Sequence, residues 1–163
     1  MTHPTTITAA PGLPFLDVVC EFDAPAAAVF RAHTDRNLFA KWTGPRMMQM
    51  DNVELDATSG GRWKFSFRGE GNMEMSFSGV FHSVEPNALI IQTFEFNLAP
   101  HQVGISTITF DEVDGRTHLT VHEVYPSVEA RDAAVGSGME HGISEGYERL
   151  DEIFVAELTG GVS

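Results

Sequence analysis

The stretch from Gly138 to Leu158 constrains this chain most. Set at about 100° per residue, Met139, Ile143, Tyr147, Leu150, Ile153 and Phe154 fall on one stripe. His141, Glu145, Glu148 and Glu152 fall on the opposite side. That pattern predicts a long amphipathic helix buried along one face. Gly142 and Gly146 flank the stripe. A glycine inside a helix costs about 1 kcal/mol relative to alanine, so both need a reason. Either the helix approaches another backbone closely, or it leaves room for something that is not protein. Nearly everything before this helix reads as β-strand, so the chain reads as a sheet built to wrap one helix.

The earlier elements follow in order. Met1 to Leu13 is Thr-, Ala- and Pro-rich with little to bury, and residues 1–14 are expected as a flexible tail. Phe15 to Phe22 is the first predicted strand. Asp23 is expected to cap a helix with Pro25 in its first turn, and Asp35 a second short helix through Lys41. Strands then succeed one another from Met47 to Leu55, Arg62 to Arg68, around Met75 to Phe81, and Leu89 to Phe96. In Arg62 to Arg68, Trp63, Phe65 and Phe67 alternate with Arg62, Lys64, Ser66 and Arg68, the mark of a half-buried antiparallel strand. Gly104 to Phe110 and Thr117 to Tyr125 form a hairpin around Asp114-Gly115. Ser127 is expected to cap a further short helix, and Gly136-Ser137-Gly138 breaks the chain before the long one. The expected fold class is α+β: a curved antiparallel sheet of about seven strands wrapped around the C-terminal helix, with two short helices between strands 1 and 2. Residues 15–158 form one expected domain, and 159–163 a short tail.

Composition narrows the function classes. Ten Lys+Arg against 23 Asp+Glu give a net charge of −13. Such a field repels phosphate backbones and anionic membrane surfaces, which argues against a nucleic-acid partner. No apolar run reaches the roughly 20 residues needed to cross a bilayer, and the N-terminus has neither a basic start nor an apolar core. Membrane insertion is not expected, and the expected location is cytoplasmic. Cys20 is the single cysteine, so no intramolecular disulfide or cysteine-rich zinc site is possible. Within the apolar run Phe15 to Phe22 it is expected as a buried, inert thiol.

Several motifs, taken in order, resemble a known family. They are Asp23-Ala24-Pro25 with Val29-Phe30-Arg31-Ala32, Trp42 with Gly44-Pro45, and Gly60-Gly61-Arg62-Trp63. Gly79-Val80-Phe81 through Val84-Glu85-Pro86 follows, then Leu89 through Thr93-Phe94 and Thr107 through Phe110 with Gly115-Arg116-Thr117. The series closes on Gly138-Met139-Glu140-His141-Gly142 through Tyr147-Glu148-Arg149-Leu150. Over roughly residues 15–158 the chain resembles bacterial proteins with homology to the activator of the heat-shock-90 ATPase, within the START-like (SRPBCC) superfamily. The resemblance implies a helix-grip fold with a cavity between sheet and long helix. Its members include carriers, aromatase/cyclases and chaperone cofactors, so it implies no single function.

The candidate site follows from inward faces. Trp63, Phe65, Phe67, Met75, Phe77 and Phe81 share faces on neighbouring strands, with Met139, Ile143 and Tyr147 opposite on the helix. Such side chains suit an apolar or aromatic ligand, or they simply fill a core. On the last strand, Leu119, Val121, Glu123 and Tyr125 share one face. If the first two point inward, Glu123 and Tyr125 do also. Glu123 then needs a partner or an elevated pKa, and it is the candidate general base or ligand-orienting group; the alternative places it in water at the open end of the sheet. Glu95 is a weaker candidate because its face is ambiguous. Arg46 and Arg62 are possible neutralising partners, but nothing in the sequence puts them beside Glu123.

A metal site is not expected. His118 and His122 share a strand face but stand about 13 Å apart along it, and His141 and Glu145 lie on the solvent side of the helix. There is no nucleophile elbow and no nucleotide loop, and no cofactor is expected. Three readings stand in order. The first is binding of a hydrophobic small molecule in the cavity. The second is a cyclase, dehydratase or hydrolase using the same cavity. The third is a protein-interaction role with a chaperone partner. A homodimer is a possible assembly.

Overall fold

The computed structural model describes residues 3–158; the tail expected over 159–163 lies outside them. Among these residues one antiparallel sheet of eight strands carries the fold, in the spatial order β1-β2-β8-β7-β6-β5-β4-β3. The strands are β1 (Thr6–Thr8), β2 (Phe15–Phe22), β3 (Gln49–Leu55), β4 (Arg62–Arg68), β5 (Glu74–Glu85), β6 (Leu89–Phe96), β7 (Gly104–Val113) and β8 (Arg116–Val124). The helices are α1 (Ala26–Thr34), α2 (Arg36–Trp42), α3 (Val128–Gly136) and α4 (Met139–Leu158). This is the expected α+β helix-grip architecture.

One strand more than expected comes from the N-terminal stretch read as a loose tail. Thr6↔Val19 and Thr8↔Asp17 pair β1 onto the edge of β2, so the two short helices lie between the second and third strands. Thr6-Ile7-Thr8 is β-branched throughout but three residues long, too short to show an alternating pattern. Ile7 packs against the core, and the Thr5 hydroxyl meets Cys20 Sγ at 3.6 Å.

The capping expectations divide. Asp35 accepts from the N–H groups of Asn37 and Leu38 and starts α2, and Ser127 Oγ accepts from Ala130 N at 3.0 Å to start α3. Asp23 does not cap α1. Pro25 occupies that position without a side-chain bond, and Ala26 N donates instead to Glu112 Oε1 at 2.8 Å. Asp23 is held by Arg116 at 2.9 Å and His3 at 3.1 Å, so a distant strand supplies the cap that the sequence neighbour does not. Asp114 and Gly115 both adopt positive φ, 54° and 77°, the conformation of a type I′ hairpin turn.

The core lies between the inner face of the sheet and the helices. Leu16, Val18 and Phe22 of β2, Leu119 and Val121 of β8, and Ile108 and Phe110 of β7 are all buried. Tyr147, Leu150 and Phe154 close over them from α4, with the Phe22 ring edge-on to both Tyr147 and Phe154 at 5.8 Å. Tyr147 also stacks on Trp42 of α2 at 5.6 Å. At Gly146 a Cβ would sit 3.2 Å from the carbonyl oxygen of Trp42; at Gly142 it would meet only Pro45, at 3.7 Å. Close backbone approach therefore accounts for Gly146. No helix among the described residues is long and apolar enough to cross a membrane.

Candidate functional site

The inner face carries two neighbouring features, a polar row and an aromatic wall. The register places Leu16, Glu123, Ser106, Gln92 and Phe81 side by side across β2, β8, β7, β6 and β5. Glu123, Ser106 and Gln92 thus form a polar stripe on a face that is otherwise apolar. Ser106 is buried, and Glu123 and Gln92 are half-buried. Glu123 points inward with Leu119 and Val121, as its alternation requires.

Two hydroxyl groups engage the Glu123 carboxyl. Tyr125 Oη lies 3.0 Å from Oε2, and Ser106 also hydrogen-bonds to it. Burial nevertheless raises the Glu123 pKa above the ordinary glutamate range, because desolvation outweighs both hydrogen bonds. Tyr125 Oη is also 3.5 Å from Met139 Sδ in the first turn of α4. Burial, then the charge of Cys20 and that of Glu123, push the Tyr147 phenol upward. Tyr125 rises for the same first reason, reinforced by Glu123. Among the described residues, Glu123 makes no ion pair.

The aromatic wall begins beside this row. The Phe94 ring stands edge-on to Tyr125 at 5.3 Å. Phe96 stacks on Phe77 at 4.8 Å, Phe77 lies 5.4 Å from Phe65, and Phe65 touches Trp63, Phe67 and Phe39 of α2 at 5.3–5.5 Å. Phe65, Phe77, Phe94, Phe96 and Met75 are half-buried, whereas Trp63, Phe67 and Phe81 are buried. The indole N–H of Trp63 is buried with no partner. Met139 and Ile143 pack against the core from α4.

Glu123, Tyr125 and most of the wall are among the residues expected from the sequence. Ser106, Gln92, Phe94 and Phe96 are not among them. The last two were marked by the alternation of Phe94 and Phe96 with Thr93 and Glu95; the first two become neighbours of Glu123 only through strand register. Glu95 does not belong to the site. It pairs with Ser78 on the outer face and accepts from His101 N at 2.8 Å. Arg46 is bound to Glu152 at 2.6 Å, and Arg62 is exposed on the outer face of β4. His118 and His122 pair with Glu21 and Asp17, and His141 with Glu145 at 3.2 Å. Glu145 is half-buried rather than solvated, and its Oε1 accepts from Arg46 N. Among the described residues, no group of three or more His, Cys, Asp or Glu side chains could hold a metal ion.

Two clefts stand out elsewhere. One of about 40 Å³ lies among α1, α2 and α4, lined by Ala32, Trp42 and Phe154. The other, about 480 Å³, lies on the outer face among Glu54, Lys64, Val80, Thr93 and Glu95.

Residues 23–155 match the family model described as Activator of Hsp90 ATPase homolog 1-like protein. The chain belongs to that family. Solved structures of similar shape include protein Ms6760 from Mycobacterium smegmatis, 22% identical over 92% of this chain and 96% of that one, with a TM-score of 0.83. A Rhodobacter sphaeroides protein is 24% identical over 93% and 99%, also at 0.83. Protein CV1439 from Chromobacterium violaceum is 23% identical over 86% and 96%, at 0.76. At these identities the likeness shows the fold, here the helix-grip fold of the Activator of Hsp90 ATPase homolog 1-like proteins. Curated proteins give no match.

Proposed function

We propose that this protein binds an apolar or aromatic small molecule on its inner face, between the β4–β8 region and α4. The observation that carries the reading is the aromatic wall. Phe65, Phe77 and Phe96 follow one another at ring-contact distance; Phe94, two residues before Phe96 on the same face of β6, meets Tyr125 beside Glu123, and all four phenylalanines remain half-buried. Aromatic surface with a few convergent polar groups is the usual composition of a small-molecule site.

α4 sets the geometry of access. Its second half is fixed on β2 and α2 by Tyr147 and Phe154. Its first turn follows Gly138, which has a φ of +87°, and reaches the site through Met139. The ligand would therefore lie under the first two turns.

Native mass spectrometry tests the reading. Gently purified protein is measured before and after exposure to an extract of small apolar molecules. A discrete added mass that is lost on replacing Phe77 and Phe96 by alanine is the expected result. An unliganded mass under both conditions would overturn it. The same experiment addresses an acid–base role for Glu123, which its raised pKa favours: turnover releases a molecule of altered mass, and simple binding returns the molecule unchanged.

A further inference from the structure

We infer that the molecule bound here carries a protonated amine on its apolar or aromatic body, and that this amine pairs with Glu123. The inference rests on the reading of the inner face as a binding site and deepens it. Three observations converge on it.

The first is the missing counter-charge. Glu123 has hydroxyl partners but no cation among the described residues. Its neighbours across the row are Leu16, Ser106 and Gln92, none of them basic. Arg131 is the buried guanidinium that acts electrostatically on Tyr125, yet its donors are already committed. Nη1 donates to the carbonyl oxygens of Ala10 and Phe15, and Nε and Nη2 donate to Asp132. A half-buried carboxylate with no partner of opposite charge is a costly arrangement, and a ligand ammonium would remove that cost.

The second is acceptor capacity. Tyr125 Oη is placed on Oε2. A carboxylate has about four lone-pair sites, so it retains room for an ammonium's donors. A ligand carboxylate in the same place would meet like charge.

The third is the company the carboxyl keeps. Phe94 and Tyr125 stand together beside Glu123, and aromatic faces attract a cation lying over them. The net charge of −13 adds a long-range field of the same sign preference.

The experiment uses three probes with one shared body: 2-(2-naphthyl)ethylamine, 2-(2-naphthyl)ethanol and 2-naphthylacetic acid. Each is titrated calorimetrically into the full chain and into Glu123→Gln. The amine is expected to bind about tenfold more tightly than the alcohol, with the acid weakest. In Glu123→Gln the amine should lose its advantage and bind no more tightly than the alcohol does to the same variant. Equal binding of amine and alcohol by the unsubstituted protein overturns the amine inference and leaves the apolar site standing. An amine preference that survives in Glu123→Gln overturns the pairing with Glu123 and assigns the preference to the overall charge. Binding of none of the three overturns the site itself. Should Glu123→Gln lose its folded circular dichroism signal, the unsubstituted protein is titrated at low and at high salt: an amine preference that persists at high salt supports the close pair, and one that vanishes overturns it in favour of the overall charge.

Discussion

Tyr125 and Glu123 lie two residues apart, at and just beyond the end of β8, and the tyrosine hydroxyl reaches back 3.0 Å to the carboxyl it shares a face with. The period of a strand puts both side chains on the inner face. Their proximity raises the tyrosine pKa beyond what burial alone does. It does not for the glutamate, where the hydroxyl partly offsets burial.

Glu123→Gln should stabilise the protein near neutral pH. A carboxyl whose folded pKa is raised contributes its full stability below the unfolded pKa and loses it as pH rises through the folded one. The uncharged amide avoids that loss while keeping an acceptor for Tyr125. Urea unfolding at pH 8 should show the variant as the more stable, with the gap closing toward pH 4. An unchanged midpoint at pH 8 would mean that the carboxylate is well hydrated.

His33 should set an acid limit on stability. It is buried between Trp42 and Phe110, its Nδ1 is 2.8 Å from Val29 O, and Nε2 has no partner. Burial therefore pushes its pKa from 6.5 down to about 4. The unfolded chain takes up the proton first, so stability falls as pH drops from about 6.5 to about 4, by roughly 3 kcal/mol in total. An NMR titration of the ring that gives a midpoint near 6.5 would contradict this.

The two helix glycines should respond unequally to alanine. At Gly142 the new methyl meets Pro45 at an ordinary 3.7 Å, so helix propensity should prevail, with a gain of up to about 1 kcal/mol. At Gly146 the methyl lies 3.2 Å from a backbone oxygen, which offsets that gain. Thermal melts should rank Gly142→Ala above Gly146→Ala. Equal gains would show that α4 and Trp42 are not in close approach.

Asp35→Ala should cost about 1 kcal/mol. Its Oδ1 accepts from Asn37 N at 2.9 Å and from Leu38 N at 3.0 Å at the start of α2. Chemical denaturation measures the loss. Asp23→Ala, by contrast, should leave α1 intact, because Glu112 holds the first N–H of that helix.

The sequence made some of this legible for definite physical reasons. The stripe from Met139 to Phe154 exists because one side of a helix must be apolar to be buried, and the Trp63-Phe65-Phe67 alternation exists because strand side chains alternate. Both are short-range patterns. The Glu112 cap of α1, the strand made by Thr6–Thr8 and the adjacency of Ser106 and Gln92 to Glu123 are set by pairing between distant segments, and no local pattern encodes them. Asp151 shows the limit within one helix. It follows Tyr147 by four residues and is buried, yet a charged residue on an apolar stripe draws no notice in a count of hydrophobic positions.

The contact at Gly146 has a mechanical consequence. Because the helix there rests almost directly on the carbonyl of Trp42, it works as a lever with its fulcrum one-third of the way along. The long arm, carrying Leu150 and Phe154, is anchored in the core. The short arm, with Met139 at its tip, follows α3 after the turn at Gly138. Any widening over the aromatic wall is then a small rotation of the short arm, whose size is limited by how far two helical turns can lift before the fulcrum itself gives way.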